Sequence, residues 1–415
     1  MSCREWREVS LKDIIQYISR GITPVYTDED GVIVLNQKCI RDNRVSYDQS
    51  RFTNPGERKI PEDKYLRKYD ILINSTGVGT LGRVAQIKEL INKTTVDSHV
   101  TIVRAKGNVA PKFLGYNLFL QQPNIEALAE GSTGQTELSR TRLAEAIKLL
   151  IPPVKEQQAI ADTLSCLDDK IELNNRINKN LEEMAQAIFK SWFVDFEPFQ
   201  DGEFEDSELG RIPKGWRVGT IENISKEVIC GKTPSTKDKD NFGDLMPFIT
   251  IPDMHGNIYI VKSERYLSVK GIKTQSNKTI PVNSVVVSCI ATPGLVVLAS
   301  EPSQTNQQIN SIICKDNISH YYVFLSMKNY SNKIKDLGSG GSTTLNLNKT
   351  QFSKIKLIIP CEEVIFKFHN IVGPIFKEIL EYQKQTVKLE VIRDTLLPKL
   401  MSGEIRVPIK EADNS

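Results

Sequence analysis

The sequence predicts an α+β chain built twice over: a mixed α/β domain followed by a long helix, then a second copy of each. Three observations carry that prediction. First, an apolar seam runs through Ile160, Leu164, Leu167, Ile171, Leu181, Ala185, Ile188 and Trp192, broken only at Asn174 and Asn178. Its steps alternate four and three, the spacing of a helix packed along another helix. Second, the seam recurs at Phe368, Val372, Ile375, Ile379, Tyr382, Thr386, Leu389, Arg393 and Leu396, each at one constant offset from its counterpart. Third, the same 15-residue interval separates Trp6 from Gly21-Ile22-Thr23-Pro24 and Trp216 from Gly231-Lys232-Thr233-Pro234. The duplication therefore extends to the domain starts.

Taken in order, residues 1–150 form the first domain. A short helix is expected over 11–18, strands over 32–35, 71–74, 84–87 and 100–103, and a helical patch over 113–121. Residues 151–195 form the central helix. It contains no Gly or Pro from Val154 to Trp192 and at about 1.5 Å per residue would span roughly 55–60 Å, long enough for a spacer. A surface helix of an ordinary bundle would carry the same stripe over a shorter run. Residues 196–211 are acidic and aperiodic, and read as a linker. The second domain, 212–359, repeats the first, with strands over 248–251, 284–290 and 309–314. Its exit, Ile355-Lys356-Leu357-Ile358-Ile359-Pro360, mirrors Ile147-Lys148-Leu149-Leu150-Ile151-Pro152. Residues 360–405 form the C-terminal helix, where Gly373-Pro374 predicts a kink or restart. Residues 406–415 are a tail.

Composition narrows the function classes. The chain of 415 residues is 40% apolar and 25% charged, enough to bury a core in each half. Its 54 basic and 51 acidic side chains leave a net charge of only +3, so partners must be argued from local charge. Seven cysteines without CxxC spacing fit reduced thiols in a cytoplasm rather than a disulfide framework or zinc site. The four histidines lie far apart in sequence, no metal site is expected, and no signal peptide or membrane span is apparent.

One string looks enzymatic. Gly77-Val78-Gly79-Thr80-Leu81-Gly82 follows a strand-like run, and Asp97 lies at a distance suited to a ribose contact. The corresponding turn of the second copy is Ala291-Thr292-Pro293-Gly294, which lacks the run of N–H groups a pyrophosphate needs. No amino-methyltransferase string, phosphate loop or HExxH is present, and no catalytic residue is expected. Binding features are richer. Lys38, Arg41, Arg44, Arg51, Arg58, Lys59, Lys64, Arg67 and Lys68 crowd the loops of the first domain, and Lys226, Lys232, Lys237, Lys239, Lys262 and Arg265 those of the second. A solvated face explains any one of them, but their enrichment in both domains suits phosphate-facing surfaces. Amide and hydroxyl clusters lie beside them: Gln135-Thr136-Glu137 with Ser139-Arg140, Ser342-Thr343-Thr344 with Asn346, and the run from Ser303 to Gln308. Such side chains pair with base edges.

Several strings together resemble the DNA-specificity subunit of type I restriction-modification enzymes. They are the two Gly-x-Thr-Pro loops, Ile151-Pro152-Pro153 with Glu156-Gln157-Gln158, Leu209-Gly210-Arg211-Ile212-Pro213-Lys214-Gly215-Trp216, and the closing stretch from Arg393 through Leu396-Leu397-Pro398-Lys399-Leu400 to Ile405. The second helix departs from the pattern at its opening, Cys361-Glu362-Glu363-Val364. The resemblance implies two target-recognition domains separated by two long antiparallel coiled-coil helices, each domain reading half of a split, asymmetric site in double-stranded DNA. It implies no cofactor bound by this chain. Two adenine methyltransferase subunits would use S-adenosylmethionine, and two restriction subunits would use ATP and Mg. By position and residue type, the expected DNA contacts are Thr23, Lys38, Arg41, Arg44, Thr76, Arg83, Gln135 and Arg140 in the first domain. In the second they are Lys232, Thr233, Lys237, Lys239, Thr292, Gln307, Thr343 and Asn346. Helix packing or partner docking is expected of Ile160, Leu164, Leu167, Ile171, Leu181 and Ile188, and of Val372, Ile375, Ile379, Leu389 and Leu396. Asn174 and Asn178 would pair across the helices and set register, or face a methyltransferase helix. Two rival readings stand beside this one: a protein-binding coiled-coil scaffold without DNA readout, and a nucleotide-cofactor enzyme using the 77–82 turn.

Overall fold

A computed structural model describes residues 6–28, 31–41, 43–131, 136–331 and 347–408. The chain divides into two compact units, Met1–Asp169 with Glu390–Ser415, and Lys170–Leu389.

The first unit is built on a four-stranded antiparallel sheet in the order Ile15–Arg20, Val100–Ala105, Ile71–Asn74, Val84–Gln86. Both of its faces are buried, and the side-chain alternation shows why. Ile71 and Ile73 point into a cluster with Leu114, Leu118 and Leu143, whereas Leu72 and Ile102 point into another with Ile33, Leu35 and Val96. A second sheet, Thr94–Val96, Val32–Leu35, Arg51–Thr53 and Tyr26–Thr27, covers the latter face. Arg7–Ser10 pairs with Lys148–Ile151, tying the domain start to its exit.

The second unit repeats this plan. Ser225–Cys230, Ile309–Cys314, Val285–Ser288, Val296–Ala299 and Tyr259–Ile260 form its main sheet, and Arg217–Thr220 pairs with Lys356–Ile359. Val285 and Val287 face one core and Val286 the other.

The long helices are Val154–Phe193 and Glu362–Met401, each of 40 residues. In the first unit, Ile160, Ala161 and Leu164 pack with Leu397, Leu400 and Met401. Asp168 Oδ2 accepts from the Tyr116 hydroxyl at 2.6 Å and Oδ1 from Arg393 Nη1 at 2.9 Å. Glu156 and Gln157 are buried, and both have structural tasks. Glu156 accepts from Trp6 Nε1 at 3.2 Å and Arg406 Nη2 at 2.7 Å, while Gln157 accepts from Ala110 N at 2.9 Å and donates to Pro152 O at 2.8 Å. In the second unit, Phe189, Phe193, Phe368 and Tyr322 form an aromatic cluster, with the Phe193 ring 4.8 Å from both Phe368 and Tyr322. Ile160, Leu164, Ile171, Val372 and Ile379 are fully buried, whereas Leu167, Leu181, Ile188, Ile375, Leu389 and Leu396 are half-buried. In the second helix Phe376, Leu397 and Leu400 take the deepest positions beside those half-buried ones.

Three expectations need correction. The helix expected over 11–18 is a single turn, Leu11–Ile14, followed by the strand Ile15–Arg20. Ser10 and Asp13 close a capping box on that turn, and pairing with Val100–Ala105 then overrides local helix propensity. The second copy does the same with Ile221–Ile224 and Ser225–Cys230. The acidic stretch 196–211 carries regular structure, with Phe204–Ser207 paired to Gly210–Pro213. Its aromatics anchor it, since the Phe196 and Phe199 rings lie 5.7 and 5.0 Å from Trp216. The helix does not restart at Gly373-Pro374. Pro374 is exposed, so it forfeits one intrahelical hydrogen bond on the solvent side, while Phe368, Val372, Phe376 and Ile379 hold the opposite face in the core.

Candidate nucleic-acid interface

Each unit builds one edge from three segments distant in sequence. In the first unit the Gly-x-Thr-Pro loop docks through Gly21 N to Val100 O at 3.0 Å and Ile22 N to Val96 O at 2.9 Å. A Cβ on Gly21 would lie 2.0 Å from Val96 O, so only glycine fits. The second unit reproduces the contact. Gly231 N donates to Ile309 O at 3.1 Å and Lys232 N to Thr305 O at 2.9 Å, and a Cβ on Gly231 would lie 2.2 Å from Asn306 O.

The docking partner is in both cases an Asx turn. Asp97 Oδ1 accepts from His99 N at 2.9 Å, and Asn306 Oδ1 from Gln308 N at 3.0 Å. Burial pushes the Asp97 carboxyl above the usual carboxylate range against the His99 N–H, which lowers it. These turns in turn hold the third segment, since Ser75 N donates to His99 O at 2.8 Å and Cys289 N to Gln308 O at 2.8 Å.

Side chains predicted from scattered positions meet on these edges. Thr76 Oγ1 lies 2.8 Å from His99 Nδ1, and Thr233 Oγ1 donates to Gln307 Oε1 at 2.7 Å. Arg83 Nη2 donates to Gly79 O at 2.8 Å. Lys38 is exposed on the turn Gln37–Cys39, which joins the edge through Asn74 Nδ2 to Gln37 O at 3.0 Å. Arg41 and Arg44 are exposed and oppose each other on a short two-stranded ribbon. Thr23 and Thr292 are exposed as well, and Arg140 is exposed at the start of the helix Arg140–Ala146. Lys232 is exposed, its carbonyl accepting from Gln275 Nε2 at 2.6 Å. Lys237 and Lys239 are exposed beside an ion pair of Lys270 with Asp238 at 2.8 Å, which holds the Asp238 carboxyl below its ordinary range. Gln135, Thr343 and Asn346 lie outside the described residues.

Sequence reasoning missed His99, Gln37 and the capping role of Asp97. The available signal was the parallel between Asp97-Ser98-His99 and Asn306-Gln307-Gln308 in the two copies. The 77–82 turn joins two antiparallel strands, Ile71–Asn74 and Val84–Gln86. A dinucleotide site needs a strand followed by a helix N-terminus, so this turn lacks the required context. Among the described residues no group of three or more His, Cys, Asp or Glu is placed to hold a metal ion.

The family model described as type I restriction modification DNA specificity domain matches residues 4–183 and again 213–389. The HindI specificity subunit of Haemophilus influenzae is 35% identical, over 97% of this chain and 100% of its own length. The MjaIX specificity subunit of Methanocaldococcus jannaschii is 31% identical, over 86% of this chain and 84% of its own. In fold, the crystal structure of the type I restriction-modification S subunit from M. genitalium superposes with a TM-score of 0.60 at 19% identity, covering 95% of this chain and 96% of that one.

Proposed function

The chain belongs to the type I restriction-modification DNA specificity family, and we propose that each of its units reads one half of a bipartite, asymmetric DNA site. It is a non-catalytic specificity subunit. The observation that carries the half-site reading is the repeated edge. One backbone framework, a glycine loop docked on an Asx turn, presents Thr76 and His99 in one unit and Thr233 and Gln307 in the other. Equal frameworks with unequal side chains suit two half-sites of different sequence, because base edges are read by side chains while the backbone sets position.

The long helices serve, in this reading, as an antiparallel coiled coil on which two adenine methyltransferase and two restriction subunits assemble. The contacts within each unit support it. Leu164 clusters with Leu397, Asp168 meets Arg393, and Asn174 meets Gln385, so partner numbers fall as those of the first helix rise. S-adenosylmethionine, ATP and Mg would be bound by those partners. The proposed location is the cytoplasm; among the described residues no helix is long and apolar enough to cross a membrane.

The test is methylome sequencing of cells expressing this chain with its methyltransferase, then with residues 1–150 exchanged for those of another member. A split adenine-methylated site of which only one half changes is the expected result. No methylation despite an intact, bound methyltransferase would favour a protein-binding scaffold without DNA readout.

A further inference from the structure

The turn between Ile71–Asn74 and Val84–Gln86 exposes Val78 at 84%, the highest value of any large hydrophobic side chain among the described residues. The turn beneath it is tightly held. Leu81 N and Thr80 N donate to Gly77 O at 2.9 and 3.1 Å, and Gly82 N donates to Asn74 O at 2.8 Å. Asn74 Nδ2 bonds Thr80 O at 3.1 Å, and Arg83 bonds Gly79 O at 2.8 Å. Gly77 has φ of 101°, and a Cβ there would lie 2.2 Å from Gln37 Oε1, so the turn is pressed against the Gln37–Cys39 segment.

An exposed valine alone is ordinary on a protein surface. This one differs in its mounting. It stands between two glycines on a hydrogen-bonded turn that begins at Thr76, the partner of His99, is bonded by Arg83 at Gly79, and abuts the Gln37–Cys39 segment that carries Lys38. Its side chain has no donor or acceptor, so it can contact neither a phosphate nor a polar base edge productively. In the major groove, only thymine offers an apolar group, its C5 methyl. In the second unit's turn, Ala291 and Thr292 are exposed and the larger Ile290 is half-buried against the core.

We propose that Val78 is a specificity residue of the first unit, reading one thymine by apolar contact with its C5 methyl. This rests on the half-site reading above. The test uses the whole complex of this chain with its methyltransferase and duplexes carrying the recognised site, in which each thymine of the first half-site is replaced in turn by deoxyuridine, which lacks only that methyl. One position is expected at which the replacement weakens binding about four-fold, the worth of one methyl removed from water. Val78→Ala should weaken binding to the unmodified site by a similar factor and abolish the deoxyuridine effect. Its thermal midpoint should be unchanged, since the side chain is exposed. Sequence-specific binding in which no position separates the wild type from Val78→Ala, or a first half-site without thymine on either strand, overturns this inference and leaves the half-site reading standing. Absence of sequence-specific binding by the wild-type complex sinks both.

Discussion

Asn174 Nδ2 on the first long helix donates to Gln385 Oε1 on the second across 2.9 Å, and lies 3.4 Å from Thr386 Oγ1. Asn174 is fully buried in a seam whose other polar break is Asn178, and among the described residues its Oδ1 has no partner. A buried amide of this kind specifies helix register at a cost in stability. Asn174→Leu should therefore raise the thermal midpoint of this unit, by an amount equivalent to about 1 kcal/mol, the penalty of one unsatisfied buried acceptor. A lowered midpoint in a melting scan would show that the amide stabilises the pair outright.

The carboxylate of Glu156 is 2% exposed and is met by Trp6 and Arg406, residues from opposite ends of the chain within the first unit. Arg406→Ala leaves a buried charge without its counterion and should cost about 3 kcal/mol, whereas the double change with Glu156→Gln should recover most of that loss. Urea unfolding of the four members of the cycle measures the coupling. Additive losses would mean that the pair does not interact.

Burial, aided by the neighbouring His369, pushes His320 down to about 4. Among the described residues its buried Nε2 has no partner, and His369 Nδ1 is engaged with Ser319 Oγ at 2.9 Å. The unfolded chain binds a proton near its ordinary value of about 6.5 that the folded unit refuses until about 4, so stability is fully present above the former and is lost as pH falls toward the latter. The second unit should lose up to about 3 kcal/mol over that window. His320→Phe should flatten the profile in melts taken between these pH values; an unchanged slope would place the proton elsewhere.

Lys237 and Gln307 should fail in different ways. Loss of an exposed cation, in Lys237→Ala, should weaken binding to all sequences alike and reduce the log–log salt slope by about 0.9. Gln307→Ala removes the partner of Thr233 and should relax preference at one base pair of the second half-site, worth about 1–3 kcal/mol, with the salt slope unchanged. Titrations against single-base variants at several salt concentrations separate the two. The same response from both would place them in one class of contact.

Much of the molecule was legible in the chain itself. The seam from Ile160 to Trp192 and its repeat, and the strands Val32–Leu35, Ile71–Asn74 and Ile309–Cys314, could be read because their signal is local. A helix repeats every 3.6 residues and a strand every 2, and apolar side chains record that period wherever one or both faces are buried. The sheet edge near Ile15 and the hairpin within residues 196–211 could not be read in this way. In the first a distant partner strand decides between helix and strand, and in the second aromatics at irregular intervals dock on Trp216 among acids that dominate the composition.

The candidate interface divides along the same line. Position and residue type mark Thr76, Thr233 and Gln307 as candidates, and the duplication marks Gly21 and Gly231. That Thr233 touches Gln307, 74 residues away, and that Thr76 touches His99, followed only from the register of paired strands. The sequence by itself determined the repeat, the long helices and the family, because each depends on spacing along the chain. Tertiary structure alone decided which side chains share an edge and which motif residues, such as Glu156 and Gln157, are buried supports. Those outcomes depend on hydrogen bonds and burial between segments whose separation in sequence carries no period.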